Sequence, residues 1–447
     1  MRVLISKPDS LGDQFIAAGA VQALRRLRPE VRIVWHVRTG MEAIAPLIDA
    51  EIFSPQASAA PAAEAARLAA HRAPLLLLPY PLSPFEPWTN ELRERVRWWA
   101  AFLQATPWDA TLLGLVNRNW VGDFTVALAP APVRIGFAAN PARQPLMNEA
   151  GALAGGGAPT FTTALPPSFT RSEAAQLRDL FAAIEPRLPP APLWQPATPR
   201  PPRGTGVPPV IVSAERPDAT STNPARNRLL IAPGVGGDPR RAWGIGNFAR
   251  VADSFRAAGG AITWIEGPGD AGYFGDMALP SVDARLRFSS HELPKLVEAL
   301  RAADLLLCHD TAYVHVAAGV GTPTVAIYGA GQHERFHPAG GRVKVVQGDI
   351  ACAGCQWHCL WDRLACVNDI PVATVIAAAE RLLAGDASPV RVSLPTPLAA
   401  APAGEMAAVK HRLQDEVLAL NADRFARLQI IQSLLAQQQA PPAAPRS

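Results

Sequence analysis

Residues 301–329 read RAADLLLCHDTAYVHVAAGVGTPTVAIYG, and the pattern changes twice within them. An apolar run ending at Cys308 has the texture of a short buried strand. Asp310 and Thr311 form a turn, and a helix begins near Ala312. Gly319 and Gly321 end that helix, and Pro323 precedes a second apolar run over 324–328. Thr311 is a good N-cap residue type. The free amides and the dipole of the first helical turn attract an anion. His315 lies one turn in, on the face that looks back toward such an anion. An ordinary capped turn with a core histidine remains the plain alternative.

The same alternation surrounds this stretch. Strands are expected at 228–232, 261–265, 304–308 and 324–328, and helices at 245–258, 292–302, 312–320 and 371–384. The first part of the chain repeats the texture. Strands are expected at 2–5, 31–37, 75–78, 111–116 and 133–137. A helix fits 12–27, where Phe15, Ile16, Ala20, Leu24 and Leu27 share a face. Alternation of this kind argues for an α/β architecture of parallel sheets covered by helices. Residues 186–226 are rich in proline and read as a linker, partly extended or disordered. The reading is thus 1–185 as one α/β domain, 186–226 as linker and 227–385 as a second domain. Residues 386–447 form a tail: a loop, then an amphipathic helix over 404–438 that either packs back on the body or mediates homo-oligomerisation.

Composition narrows the function classes. The chain has 447 residues, 49% of them hydrophobic, with a net charge of +4. Its basic residues are dispersed, which argues against nucleic acid as the main partner. No run approaches the length of a membrane span, and the expectation is a cytoplasmic protein. Four of the five cysteines fall within 352–366, suggesting a local site in a reducing compartment.

Two further loops follow strands of the second half. In IAPGVGGDPRRAW (231–243), glycines let backbone approach a ligand closely and an arginine suits phosphate. In WIEGPGD (264–270), Asp270 lies where an acidic residue often meets ribose hydroxyls. Each alone is weak. Together with 310–315 they converge on the carboxyl edge of one sheet, where open parallel sheets bind ligands. A nucleotide or diphosphate site is the result. The N-terminal VLISKPDSLGDQF (3–15) also runs from strand to loop to helix, but it offers one glycine and a carboxylate, Asp13, where phosphate would be repelled.

At these residues the chain resembles glycosyltransferase family 9, the ADP-heptose–lipopolysaccharide heptosyltransferases and their relatives. The N-terminal strand with KPDSLGD, APGVGGDPRRAW with GNFARVAD, EGPGD, and ADLLLCHDTAYVHVAAGVGTPTVAIYG carry the match, in order, over roughly 1–385. The last is similar to the D-T-G-x-x-H block. The resemblance implies a GT-B fold, two Rossmann-like domains facing across a cleft, and metal-independent inverting transfer with no cofactor required. It implies Asp13 as base, with Ser10 and Gly12 on the acceptor side. Arg241, Asp270, Asp310, Thr311, Ala312, Tyr313 and His315 would bind a nucleotide-diphospho-sugar. Ala312 stands where the motif has glycine, and Arg241 where the family also uses lysine.

Cys352, Cys355, Cys359 and Cys366 give C-x2-C-x3-C-x6-C, compatible with a structural zinc or iron site and equally with buried thiols or a disulfide pair. The related autotransporter heptosyltransferases carry a four-cysteine iron site and modify protein, so a protein acceptor stands beside the lipopolysaccharide core or a related surface glycan. A lipid acceptor implies peripheral contact with the inner membrane. A GT-B sugar-nucleotide epimerase and a catalytically silent nucleotide-binding or assembly protein are the competing readings.

Overall fold

A computed structural model describes residues 1–83, 89–116, 119–138, 161–168, 171–190, 192–197, 228–236, 239–268, 270, 283–289, 292–329, 333–338, 340–350 and 363–394. The first sheet holds β1 (Arg2–Ser6), β2 (Arg32–Arg38), β3 (Glu51–Ile52), β4 (Leu75–Tyr80), β5 (Ala110–Leu113), β6 (Val133–Phe137) and β7 (Thr163–Leu165), in the order β3-β4-β2-β1-β5-β6-β7. Its helices are α1 (Leu11–Leu27), α2 (Pro61–Ala70), α3 (Asn90–Ala105), α4 (Trp120–Leu128) and α5 (Glu173–Ala182). The second sheet holds β8 (Arg228–Ala232), β9 (Ala261–Glu266), β10 (Ala284–Arg287), β11 (Leu305–His309), β12 (Thr324–Tyr328), β13 (Val343–Asp349) and β14 (Val390–Ser393), in the order β10-β9-β8-β11-β12-β13-β14. Around it lie α6 (Ile245–Ala257), α7 (Leu293–Ala302), α8 (Ala312–Val320), α9 (His333–Phe336), α10 (Ala365–Asn368) and α11 (Val372–Leu383). The described strand pairings are all parallel.

Side chains alternate across each sheet, as the two-residue period of a strand requires. In β1, Val3 and Ile5 enter one apolar layer while Leu4 enters the opposite one with Val34, Leu76 and Leu78. In β11, Leu306 and Cys308 face one way, Leu305 and Leu307 the other. The inner layers of the two sheets are a single cluster: Phe15, Ala17 and Val21 of α1 continue into Val314, Ala317 and Ala318 of α8. The two α/β halves therefore share one core, and α1 and α8 are its contact elements.

Each sheet reverses direction once. Growth from β1 runs to β2 and β4, then returns to β5 on the other side of β1. Growth from β8 runs to β9 and β10, then returns to β11 on the other side of β8. Loops at such switch points leave a crevice beyond the strand ends. Residues 7–10, 233–236, 239–241 and 310–311 all lie there.

Two expectations change. The linker begins with an ordered strap: residues 192–197 pack between the domains, and the Trp194 side chain is buried. The rest of the linker lies outside the described residues. The second sheet extends through Ser393 instead of ending near 385, because Val390 and Val392 pair with Val346 and Gly348 of β13. Strand β13 itself, VKVVQGD, interleaves Lys344 and Gln347 with valines, which hid it among loop residues. The expected helix over 404–438 lies outside the described residues.

Candidate active site between the two sheets

Strand β1 delivers the loop Lys7–Ser10 to the first switch point, and α1 starts there. Ser10 occupies the N-cap position without capping an amide. Its hydroxyl donates instead to Asp13 Oδ2 at 2.5 Å. Asp13 is partly buried in the first turn of α1. Its burial and the nearby Asp9 charge push its pKa up to about 8, against the pull of Lys7. Such a carboxyl is a stronger base than a solvated one and titrates near physiological pH.

Lys7 is wholly buried, with Nζ 3.4 Å from Asp9 Oδ2, 3.4 Å from Glu173 Oε1 and 3.1 Å from the Gly114 carbonyl. Burial opposes its charge, but Asp9, Glu173 and Asp13 outweigh burial and its pKa is raised. Asp9, Asp13 and Glu173 place carboxylate oxygens within 4.8 Å of one another, the arrangement a cation would use. The Lys7 ammonium already sits among them.

Across the interface, β11 ends at His309, and Asp310 and Thr311 lead into α8. Thr311 is the N-cap residue but caps no amide with its side chain; the Val314 amide donates to the Thr311 carbonyl, and the amides of Ala312 and Tyr313 are the ones that can face an anion. Asp310 is pushed up to about 6 by burial, against Arg241 and a hydrogen bond from Tyr328. Val235, Arg241, His309, Asp310, Ile327, Gly329 and Val367 line one crevice at this strand edge. His315 is buried and held neutral, its pKa lowered to about 4 by burial and by His337.

Asp270 is buried, and its Oδ2 accepts from the Gly267 amide at 2.9 Å and the Tyr313 hydroxyl at 3.2 Å. A Cβ on Gly234 would fall 1.8 Å from Asp270 Oδ1. The glycine of APGVGG is thus required for the loops after β8 and β9 to close on each other. Arg241 and Asp310 share the strand-edge crevice, Thr311, Ala312 and Tyr313 follow at the start of α8, and Asp270 fastens the loops beside Tyr313, whereas His315 lines a separate pocket with Phe15, Trp194 and His337. Of the cysteine set, Cys366 is buried in the second-domain core, while Cys352, Cys355 and Cys359 lie outside the described residues.

The two half-sites touch. A Cβ on Gly12 would lie 3.3 Å from His315 Cδ2 and 3.5 Å from Ala312 Cα. The N-terminus of α1 therefore abuts the N-terminus of α8, and Gly12 permits it. Trp194 holds this arrangement. Its ring meets Phe15 at 4.7 Å, and its indole N–H donates to the His315 carbonyl at 2.7 Å. Gly19 of α1 and Gly319 of α8 make room for the strap: a Cβ on either would strike Pro192 or Trp194.

Sequence reasoning missed four participants. Lys7 stood in plain view in SKPDS. His309 accepts from the Trp243 amide at 2.8 Å and so pins the Arg241 loop to β11; the CHD triplet was its only signal. Glu173 and Arg335 meet across the domain boundary, separated by 162 positions, and no local motif marks either.

The fold and the site now define a class. Two parallel-sheet domains, with loops from both switch points meeting at their interface, form the GT-B architecture of glycosyltransferases. Residues 209–360 match the family model described as Glycosyltransferase family 9 (heptosyltransferase). That match lies within the end of the linker and the second domain. It is similar in fold to E. coli ADP-heptose lps heptosyltransferase II, at 16% identity and a TM-score of 0.54, covering 86% of this chain and 99% of that one. It is similar to the glycosyl transferase family 9 protein from Veillonella parvula, at 14% identity and a TM-score of 0.55, covering 86% and 97%. A third similar structure is E. coli heptosyltransferase WaaC with ADP, at 15% identity and a TM-score of 0.50, covering 86% and 100%. No curated protein matches in sequence. Among the described residues, no helix is long and apolar enough to cross a membrane.

Proposed function

We propose that the protein transfers a sugar from a nucleoside-diphosphate donor to a hydroxyl of a lipopolysaccharide core or related surface glycan, with inversion, and that Asp13 is the base. The leading donor is ADP-heptose. The observation that carries this reading is the contact of Gly12 with Ala312 and His315. It brings the first turn of α1, which carries Asp13, up to the N-terminus of α8.

The chemistry uses both sides. As the glycosidic bond to diphosphate breaks, the sugar acquires oxocarbenium character, as in glycoside hydrolysis. Asp13 takes the proton of the attacking hydroxyl, and Ser10 orients its carboxylate. The departing diphosphate gains negative charge. The α8 amides and the Arg241 guanidinium stabilise that charge, and neither must reorganise to do so. Neutral His315 offers a ring nitrogen without competing for the acceptor proton. Arg241 and Asp270 with Tyr313 are the donor-side fixtures, and transfer on this reading requires no cofactor.

The test is release of ADP from ADP-heptose, with and without a core acceptor. Acceptor-dependent release that falls about 10²–10⁴-fold in Asp13→Ala supports the reading. Wild-type protein that binds ADP but releases none with the acceptor present would overturn it.

A further inference from the structure

Arg335 belongs to the second domain, yet its guanidinium is buried against a first-domain carboxylate. Nε and Nη2 both donate to Glu173 Oε2, at 2.8 and 2.7 Å. The other oxygen of Glu173 faces Lys7 Nζ at 3.4 Å. All three side chains are nearly inaccessible to solvent. Glu173 is the first residue of α5, and Arg335 lies in the short helix beyond β12. The chain Arg335–Glu173–Lys7–Asp9 thus runs from the second domain to the loop that leads into α1 and Asp13.

We propose that Arg335 is a positioning residue for the base: docked across the domain interface, it occupies Glu173, leaves the field of Lys7 to the loop carboxylates, and so sets the ionisation of Asp13 by the state of the interface. This rests on the reading of Asp13 as base.

Charge counting supports it. Lys7 and Arg335 balance Asp9 and Glu173, so the cluster is neutral when Asp13 is protonated and carries one excess negative charge when Asp13 ionises. Removing Arg335 adds a second uncompensated negative charge, which makes ionisation harder. Removing the charge of Glu173 does the opposite. The groups around Asp13 are Lys7 and Asp9 from β1 and its loop, Ser10 at the start of α1, Glu173 from α5, and Arg335 behind it from α9. From α8, neutral His315 reaches Gly12. Burial of the charges makes their fields reach further than in water.

The experiment is a ¹³C-carboxyl titration of aspartate-labelled full-length protein, with Asp13→Asn assigning the resonance, alongside the pH profile of ADP release. Wild type should titrate near 8. Arg335→Met should move that titration up by roughly half to one pH unit, Glu173→Gln should move it down, and Arg335→Lys should stay near wild type. The release rate of Arg335→Met at pH 6.5 should drop by about three- to tenfold in step and recover at high pH. Should Arg335→Met not fold, the downward shift of Glu173→Gln against an unshifted Arg335→Lys carries the test. Folded variants whose Asp13 titrates unchanged, or shifts in the same direction for both charge removals, would overturn the proposal and leave a merely structural ion pair. A wild type that titrates as expected but transfers no sugar would sink the transferase reading and not the electrostatic one.

Discussion

At the scale of single residues, the candidate site holds carboxyls where water does not compensate them. Asp13 is pushed up mainly by burial and next by Asp9, with Lys7 pulling the other way. A carboxyl whose native pKa exceeds its unfolded value favours folding at low pH and loses that contribution as pH rises through the native pKa. Asp13→Asn should therefore be more thermostable than wild type at pH 9 and lose that advantage by pH 5, while losing transfer; melting curves at the two pH values check the sign. Gly234→Ala makes a different case. Its Cβ would displace the Asp270 carboxylate from Gly267 and Tyr313. The cost should be about 1–3 kcal/mol in urea unfolding, with a raised donor KM. Asp13, Asp310 and His315 could be singled out as candidates because each follows a strand in a short motif. Lys7 was legible in principle but silent, since one lysine after a strand is ordinary. Glu173 and Arg335 were not, because only tertiary packing brings them together.

At the scale of elements, α1, α8 and the strap 192–197 act as one joint. The alternation of apolar strand and amphipathic helix made both helices readable, at Leu11–Leu27 and Ala312–Val320. The strap was hidden by its prolines. Composition rich in proline and polar residues signals a linker, and only the fit of Trp194 against Phe15 and Gly319 makes part of it core. Strand β14 escaped for a related reason: alternate exposed residues on an edge strand, VRVS, look like loop. Trp194→Ala should cost about 3–5 kcal/mol, because it opens a void and leaves the His315 carbonyl without its indole donor. Hydrogen exchange should then speed up in the facing turns of α1 and α8, with the centres of β1 and β11 still protected. Equal acceleration throughout both sheets would contradict a local joint.

At the scale of the whole molecule, the continuous cluster from Val3 through Phe15 and Trp194 to Tyr328 makes the two halves one cooperative body. Calorimetry of the wild type should give a single transition, and Trp194→Ala should separate it into two; two transitions already in the wild type would contradict the shared core. On the proposed reading, this packing also brings the helix turn that carries Asp13 against the start of α8, so cooperativity and catalysis would have a common origin. The most direct test of that account is the pH dependence of acceptor-dependent ADP release from ADP-heptose. Wild type should rise through a limb near pH 8, and Asp13→Asn should show no such limb and about 10²–10⁴-fold less release. Release by Asp13→Asn at the wild-type rate, with the same limb, would contradict Asp13 as the base.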